Sequence, residues 1–216
     1  MSFTSEDVKR LREQTGAGMM SCKEALTQCS GNFEKAVDHL RKKGLAAAEK
    51  KQGRIAAEGL VGSYIHNGKI GVMVEVNCET DFVAKSSDFQ SFVKDVAMQV
   101  AATSPKFVRA EDIDEEFKRK EAEIYAAQLK NEGKPEHMIA KIVEGKIKKM
   151  ASEVCLMEQP FIKNTDVTVK DLLNELTLKL GEKIQIRRFT KFVLGEGIEK
   201  RQENFASEIA KMTGQQ

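Results

Sequence analysis

The 216-residue chain, with 31% charged and 41% hydrophobic residues and no tryptophan, has the composition of a soluble globular protein of one or two domains. Its 35 basic and 33 acidic residues leave a formal charge of +2, too balanced to argue for nucleic acid from net charge, so a protein partner fits equally well. No apolar run approaches the roughly 18 residues that a membrane span requires, and the first twenty residues mix Glu6, Asp7 and Glu13 with their basic residues, so a cytoplasmic location without secretion or membrane association is expected.

Cys22, Cys29, Cys78 and Cys155 form no CxxC pair and have only His39, His66 and His137 to assist them, so reduced thiols are expected, with no metal and no cofactor. Residues 1–44 read as three short helices closed by glycines. Ser5 is placed to cap a first helix carrying Val8 and Leu11, ended by Gly16-Ala17-Gly18. Ser21-Cys22-Lys23-Glu24 has the form of a capping box opening a second helix with Ala25 and Leu26. After Gly31-Asn32, a third helix puts Phe33, Val37 and Leu40 on one face and Arg41, Lys42 and Lys43 in its last turn, with Gly44 as its stop. So few apolar side chains make a marginal core alone. Met19 and Met20 are the least committed of them, either core filler or a soft contact surface.

Residues 45–58 are rich in alanine, lysine and arginine without a strong apolar stripe and read as a linker helix. The basic run is a solvated face or, lacking interleaved aromatics, a weak nucleic-acid patch. Leu60 to His66 and Lys69 to Asn77, joined by Asn67-Gly68, predict a β-hairpin. Val72, Val74 and Val76 alternate with Met73, Glu75 and Asn77, as in a half-buried strand. Ser86 and Ser87 then offer an N-cap to a helix with the stripe Phe89, Phe92, Val93, Val96 and Val100, stopped by Pro105. Between strand and helix lies a loop bearing Asp81-Phe82, the kind of rigidly flanked position where binding residues concentrate. By residue type alone Phe82 is more readily a buried core aromatic than a protruding plug.

Further on, a charged helix from Asp114 to Asn131, a turn at Gly133-Lys134-Pro135 and a second helix through Met138, Ile142, Met150 and Val154 predict a helical hairpin spanning 114–158. Thr168 to Asp171 caps a helix with Leu172, Leu173, Leu176 and Leu180, ended by Gly181, and Ile184 to Leu194 marks a last strand of mixed alternation. The hairpin and this strand most simply join in one antiparallel sheet with helices on one face, an α+β core over 59–194. Residues 195–216 follow as a terminal helical module carrying Ile198, Phe205, Ile209 and Met212. No Walker loop, GxSxG elbow or HExxH helix occurs, and Gly16-Ala17-Gly18-Met19-Met20-Ser21 is a degenerate dinucleotide fingerprint that follows a helix instead of a strand, so an enzyme is not expected.

Four stretches carry a family resemblance. Thr15-Gly16-Ala17-Gly18-Met19-Met20 with Cys22-Lys23 and Ala25-Leu26, Glu75 through Ala84, Gly133-Lys134-Pro135, and Glu158-Gln159-Pro160-Phe161 together resemble the elongation factor Ts family nearly end to end. The resemblance implies a ubiquitin-associated-like (UBA-like) three-helix domain at residues 1–44, a core domain, and the role of guanine nucleotide exchange factor for elongation factor Tu in protein synthesis. It implies that Thr80, Asp81, Phe82 and Val83 form the motif that dislodges magnesium from the GTPase. An interaction module without exchange activity is the alternative. Longer members carry two copies of the core strand-helix unit; this chain has one, as do short members that pair as homodimers, yet it keeps the terminal segment that short members can lack. A homodimer through the core sheet is expected, against a monomer in which the helical hairpin or the terminal helix folds back over the sheet.

Overall fold

A computed structural model of the chain describes residues 3–198. Helices α1 (Ser5–Thr15), α2 (Met19–Gln28) and α3 (Phe33–Lys51) close over a small core centred on Leu11, Cys22, Leu26 and Leu40. The cap of α1 is Thr4, not Ser5: the Asp7 amide donates to Thr4 Oγ1 at 3.2 Å and the Asp7 carboxylate accepts from the Thr4 amide at 2.8 Å. A reciprocal box needs an acid or amide three positions on, which Thr4 has in Asp7 and Ser5 lacks in Val8. Helix α2 likewise begins at Met19, before the expected box at Ser21, with Gly18 as an N-cap that makes no side-chain hydrogen bond. The left-handed Gly16, φ 66°, ends α1, and the buried Ala17 follows, which leaves α2 to start immediately.

The stop expected at Gly44 is absent, and α3 runs on through the first half of the anticipated linker helix, to Lys51. A Cβ at Gly44 would lie 3.4 Å from the carbonyl oxygen of Asn174. The glycine therefore serves close helix approach, and packing offsets the roughly 1 kcal/mol that glycine costs inside a helix. Arg41 pairs with Asp171 at 3.4 Å beside this contact, so the first three helices are tied to the rest of the chain by more than the covalent link.

The hairpin forms as expected. Strands β1 (Glu58–His66) and β2 (Ile70–Cys78) pair antiparallel around Asn67 and Gly68, both with positive φ, 48° and 66°. A one-turn helix α4 (Asp81–Ala84) and the long helix α5 (Ser87–Thr103) follow, then the hairpin of α6 (Glu115–Asn131) and α7 (Glu136–Val154). A small strand pair, β3 (Pro160–Phe161) with β4 (Asn164–Thr168), was not signalled by the sequence pattern. Helix α8 (Val169–Leu180) opens on the expected Thr168–Asp171 capping box and closes on Gly181 at φ 75°. Strand β5 (Gln185–Val193) completes an antiparallel sheet of order β1-β2-β5, which makes the core α+β with β2 central. The expected final helix through Phe205, Ile209 and Met212 lies outside the described residues.

One face of the sheet is the floor of the core. Val72, Val74, Val76 and Ile186 are buried with Phe89, Val93, Val96 and Val100 of α5, each contributing about 1.5–3 kcal/mol if fully removed from water. Helix and strand approach so closely that a Cβ on Gly62 would fall 2.3 Å from Val93 Cγ1. A bulge explains the mixed alternation of β5. Glu75 pairs with Arg188 while its neighbour Val76 pairs with Ile186, so Arg187 is an extra residue and the inward positions step from Ile186 to Phe189. Lys191 then points back under the sheet, its ammonium donating to the Ala101 carbonyl at 2.9 Å and to Ser104 Oγ at the end of α5.

In the Glu158-Gln159-Pro160-Phe161 stretch, Gln159 and Phe161 are buried and staple the segment to α5. The buried Gln99 of α5 donates through Nε2 to Gln159 Oε1 at 3.3 Å and to the Pro160 carbonyl at 3.1 Å, and its own Oε1 accepts from the Ile162 amide at 2.9 Å. Gln159 also accepts from Thr103 Oγ1 at 2.7 Å and donates to the Glu153 carbonyl at 2.7 Å. A fully satisfied polar group at this depth fixes how the strand pair docks on α5.

Candidate functional site

Where β2 ends, the chain does not loop freely. Thr80 N-caps α4 by accepting from the Val83 amide at 3.4 Å, and Ser86 does the same for α5 from the Phe89 amide at 3.4 Å. The stretch between strand and long helix is thus one helical turn closed by two caps, where the sequence suggested a loop. Asp81 sits in its first turn, favourable at a helix N-terminus. Ser86 Oγ also donates to the Val83 carbonyl at 2.7 Å.

The turn is anchored on one side and open on the other. Ala84 is buried and Val83 packs against the main core, whereas Phe82 is 82% exposed. Phe82 is therefore not a core aromatic: it projects from a rigid corner. The Asp81 carboxylate accepts from Lys85 Nζ at 2.6 Å, which holds the acid below and the ammonium above their ordinary ranges. Both groups are largely exposed, and an exposed pair of this spacing contributes only about 0.3–0.5 kcal/mol. Cys78 is buried with its thiol donating to the Thr80 carbonyl at 3.1 Å, and burial pushes it up to about 11, so it is a packing group and no nucleophile.

Sequence reasoning missed what holds this corner from outside. The Glu182 carboxylate accepts from the Glu79 amide at 3.1 Å, the Thr80 amide at 3.0 Å and Thr80 Oγ1 at 2.6 Å. Reciprocally, Glu79 Oε1 accepts from the Lys183 amide at 2.5 Å, and Arg54 lies 3.3 Å from the same oxygen. These donors hold the Glu79 carboxyl below its ordinary range, the Lys183 amide first and the Arg54 guanidinium after it. Lys183 Nζ donates in turn to the carbonyls of Gln52 and Arg54, at 2.6 and 2.8 Å, just beyond the end of α3. No short motif signals an interaction between residues about a hundred positions apart; only the acidic residue just after the Gly181 stop hints at it.

The second predicted group stands on a different unit. Met19 and Met20, in the first turn of α2, are 46% and 77% exposed, which makes them surface and not core filler. Val83 packs against the main core, while neither methionine is part of the small core of the first three helices. Among those residues no cluster of three or more histidine, cysteine or acidic side chains has the arrangement of a metal site, and no helix is long and apolar enough to cross a membrane.

The profile of the family described as elongation factor TS matches residues 5–196. Curated proteins named elongation factor Ts are similar over nearly the whole chain. The one from Alkaliphilus oremlandii is 60% identical over 215 residues, covering 100% of both chains. That from Carboxydothermus hydrogenoformans is 60% identical over 209 residues, 96% of each, and that from Geobacter sulfurreducens 57% over 215 residues, 99% of this chain and 100% of the relative.

The exposure of Phe82 has a measurable consequence for folding. Phe82→Ala changes the free energy of unfolding by less than about 0.5 kcal/mol, while Phe89→Ala, at a fully buried position, costs about 3–5 kcal/mol. Urea unfolding of the two variants checks this, and a loss of several kcal/mol from Phe82→Ala contradicts the exposed placement.

Proposed function

The chain belongs to the elongation factor Ts family of translation elongation factors, and we propose that it works in the cytoplasm as the guanine nucleotide exchange factor of elongation factor Tu, binding the GDP-bound form and promoting GDP release. The observation that carries this reading is the apolar ring of Phe82, 82% exposed on a turn braced from both sides. A translational GTPase holds GDP through backbone amides around the phosphates and a bridging magnesium, so small displacements release it. An exchange factor shifts that equilibrium only by binding the rearranged, nucleotide-free state better than the GDP-bound one. Phe82 supplies such a difference: burying it is favourable by about 1.5–3 kcal/mol, and only where the partner's elements have parted to admit it. Thr80 and Val83 hold the ring in place, and Asp81 brings a negative charge toward the magnesium-phosphate region, competing for the cation. Met19 and Met20, soft and exposed, serve as a docking contact of residues 1–44 on the same partner.

Labelled GDP release from elongation factor Tu, followed against the concentration of this chain, separates the two roles. Phe82→Ala lowers the rate at saturation by roughly tenfold, in line with losing one buried ring's worth of about 1.5 kcal/mol or more, and changes the half-saturating concentration little. Met20→Ala raises the half-saturating concentration and leaves the saturating rate unchanged. Full exchange by Phe82→Ala contradicts the reading, and complex formation with no acceleration by the parent chain favours a plain interaction module.

A homodimer through the sheet is part of the proposal. The face of the sheet away from α5 exposes Val61, Ile65, Met73 and Phe192. The register sets Ile65 and Phe192 on either side of Gly71. Such a patch on a small sheet, with both β1 and β5 as edges, is suited to a two-fold contact with a second copy. Light scattering at micromolar concentration gives about twice the 24.1 kDa of one chain, and Met73→Glu reduces it to one; a parent mass near one chain contradicts the dimer.

A further inference from the structure

We propose that Glu182 is the positioning residue of the exchange turn: its carboxylate sets the angle at which α4 presents Phe82. This rests on the exchange reading above and deepens it. The exposed Phe82 ring takes its direction from the backbone of α4, and α4 has four residues, far too few to hold a helical conformation unaided. Something outside the turn must define it. On its C-terminal side Val83 and Ala84 are fixed by the core and by Ser86. On its N-terminal side the backbone amides of Glu79 and Thr80 and the Thr80 hydroxyl all converge on the one Glu182 carboxylate, at 3.1, 3.0 and 2.6 Å.

Those three bonds are charge-assisted, the stronger class. The Thr80 hydroxyl gives its single proton to Glu182, which leaves its lone pairs facing the Val83 amide that it caps. Removing the carboxylate thus frees two amides and unlocks the capping oxygen together. The carboxylate itself is aimed by the left-handed Gly181, which turns the chain off α8 toward the end of β2. Next to it the Lys183 amide binds Glu79 at 2.5 Å and the Lys183 ammonium binds the carbonyls of Gln52 and Arg54. The same corner therefore ties the presentation of Phe82 to the end of α3, the helix that carries residues 33–51 across from the N-terminal unit.

Misplacing a reacting group by about 1 Å costs up to roughly 100-fold in rate, and a wedge entering a narrow gap is under the same geometric demand. The test is a double-mutant cycle in GDP release from elongation factor Tu, using the full chain with Glu182→Ala, Glu182→Gln, Phe82→Ala and the two double variants. Glu182→Ala lowers the saturating rate by about five- to tenfold with little change in half-saturating concentration, and in the Phe82→Ala background it lowers the rate by less than about twofold, because residues acting as one unit are non-additive. Glu182→Gln keeps the volume and one accepting oxygen, falls between parent and alanine, and carries the cycle alone if the alanine variant does not fold. A parental rate from both Glu182 variants, a loss confined to the half-saturating concentration, or an undiminished loss on top of Phe82→Ala overturns the positioning role while leaving the exchange reading intact. A parental rate from Phe82→Ala overturns both.

Discussion

Two segments about a hundred residues apart bind one another reciprocally where the core closes: the Glu182 carboxylate takes the amides of Glu79 and Thr80, and the Glu79 carboxylate takes the amide of Lys183. Each acid follows directly on a regular element, Glu79 on β2 and Glu182 on α8 and its Gly181 stop, so the exchange stitches the end of the central strand to the start of the edge strand β5. Because Arg54 and the Lys183 ammonium reach the same corner, the end of α3 is drawn in as well. The strand register, the orientation of the one-turn helix and the seating of the N-terminal helices meet at a single cluster of polar groups.

The sheet built on that clasp has two unlike faces. Below, β2 contributes three buried valines to the main core under α5. Above, Met73 is exposed and Glu75 is gripped by Arg187 and Arg188 at 2.8 and 2.6 Å, contacts that hold its carboxyl down to about 2. The bulge that inserts Arg187 supplies one of those two cations. The outer face therefore combines exposed apolar side chains with one acid of the central strand held between two exposed arginines.

Much of this was legible locally. Asn67-Gly68 carried the hairpin, Thr168 with Asp171 carried the start of α8, and the valine alternation of β2 named its buried face. What was hidden depended on tertiary contact. Gly44 reads as a stop, and only the approach of Asn174 reveals it as a spacer between helices. The phase change in β5 needs the opposing strand to be understood as a bulge. Phe82 as a residue type belongs inside, and its exposure goes with a turn braced by Glu182, about a hundred residues away, of which an acid after the Gly181 stop is the sole local hint. Asp81 and Phe82 stood out locally by their place between strand and helix, whereas the four-residue group Thr80 to Val83 came from the family resemblance and its one-turn helical geometry from neither.

The central claim is that a ring held outward on a fixed corner becomes buried in the partner as nucleotide leaves. Since the chain contains no tryptophan, Phe82→Trp places a single reporter at the tip of the turn, with the partner's own emission subtracted using the parent chain. On mixing with GDP-loaded elongation factor Tu, the indole emission should move from the solvent-exposed position to shorter wavelength at the rate at which labelled GDP is released. Emission that stays at the exposed wavelength while GDP is released at the parental rate would contradict the account.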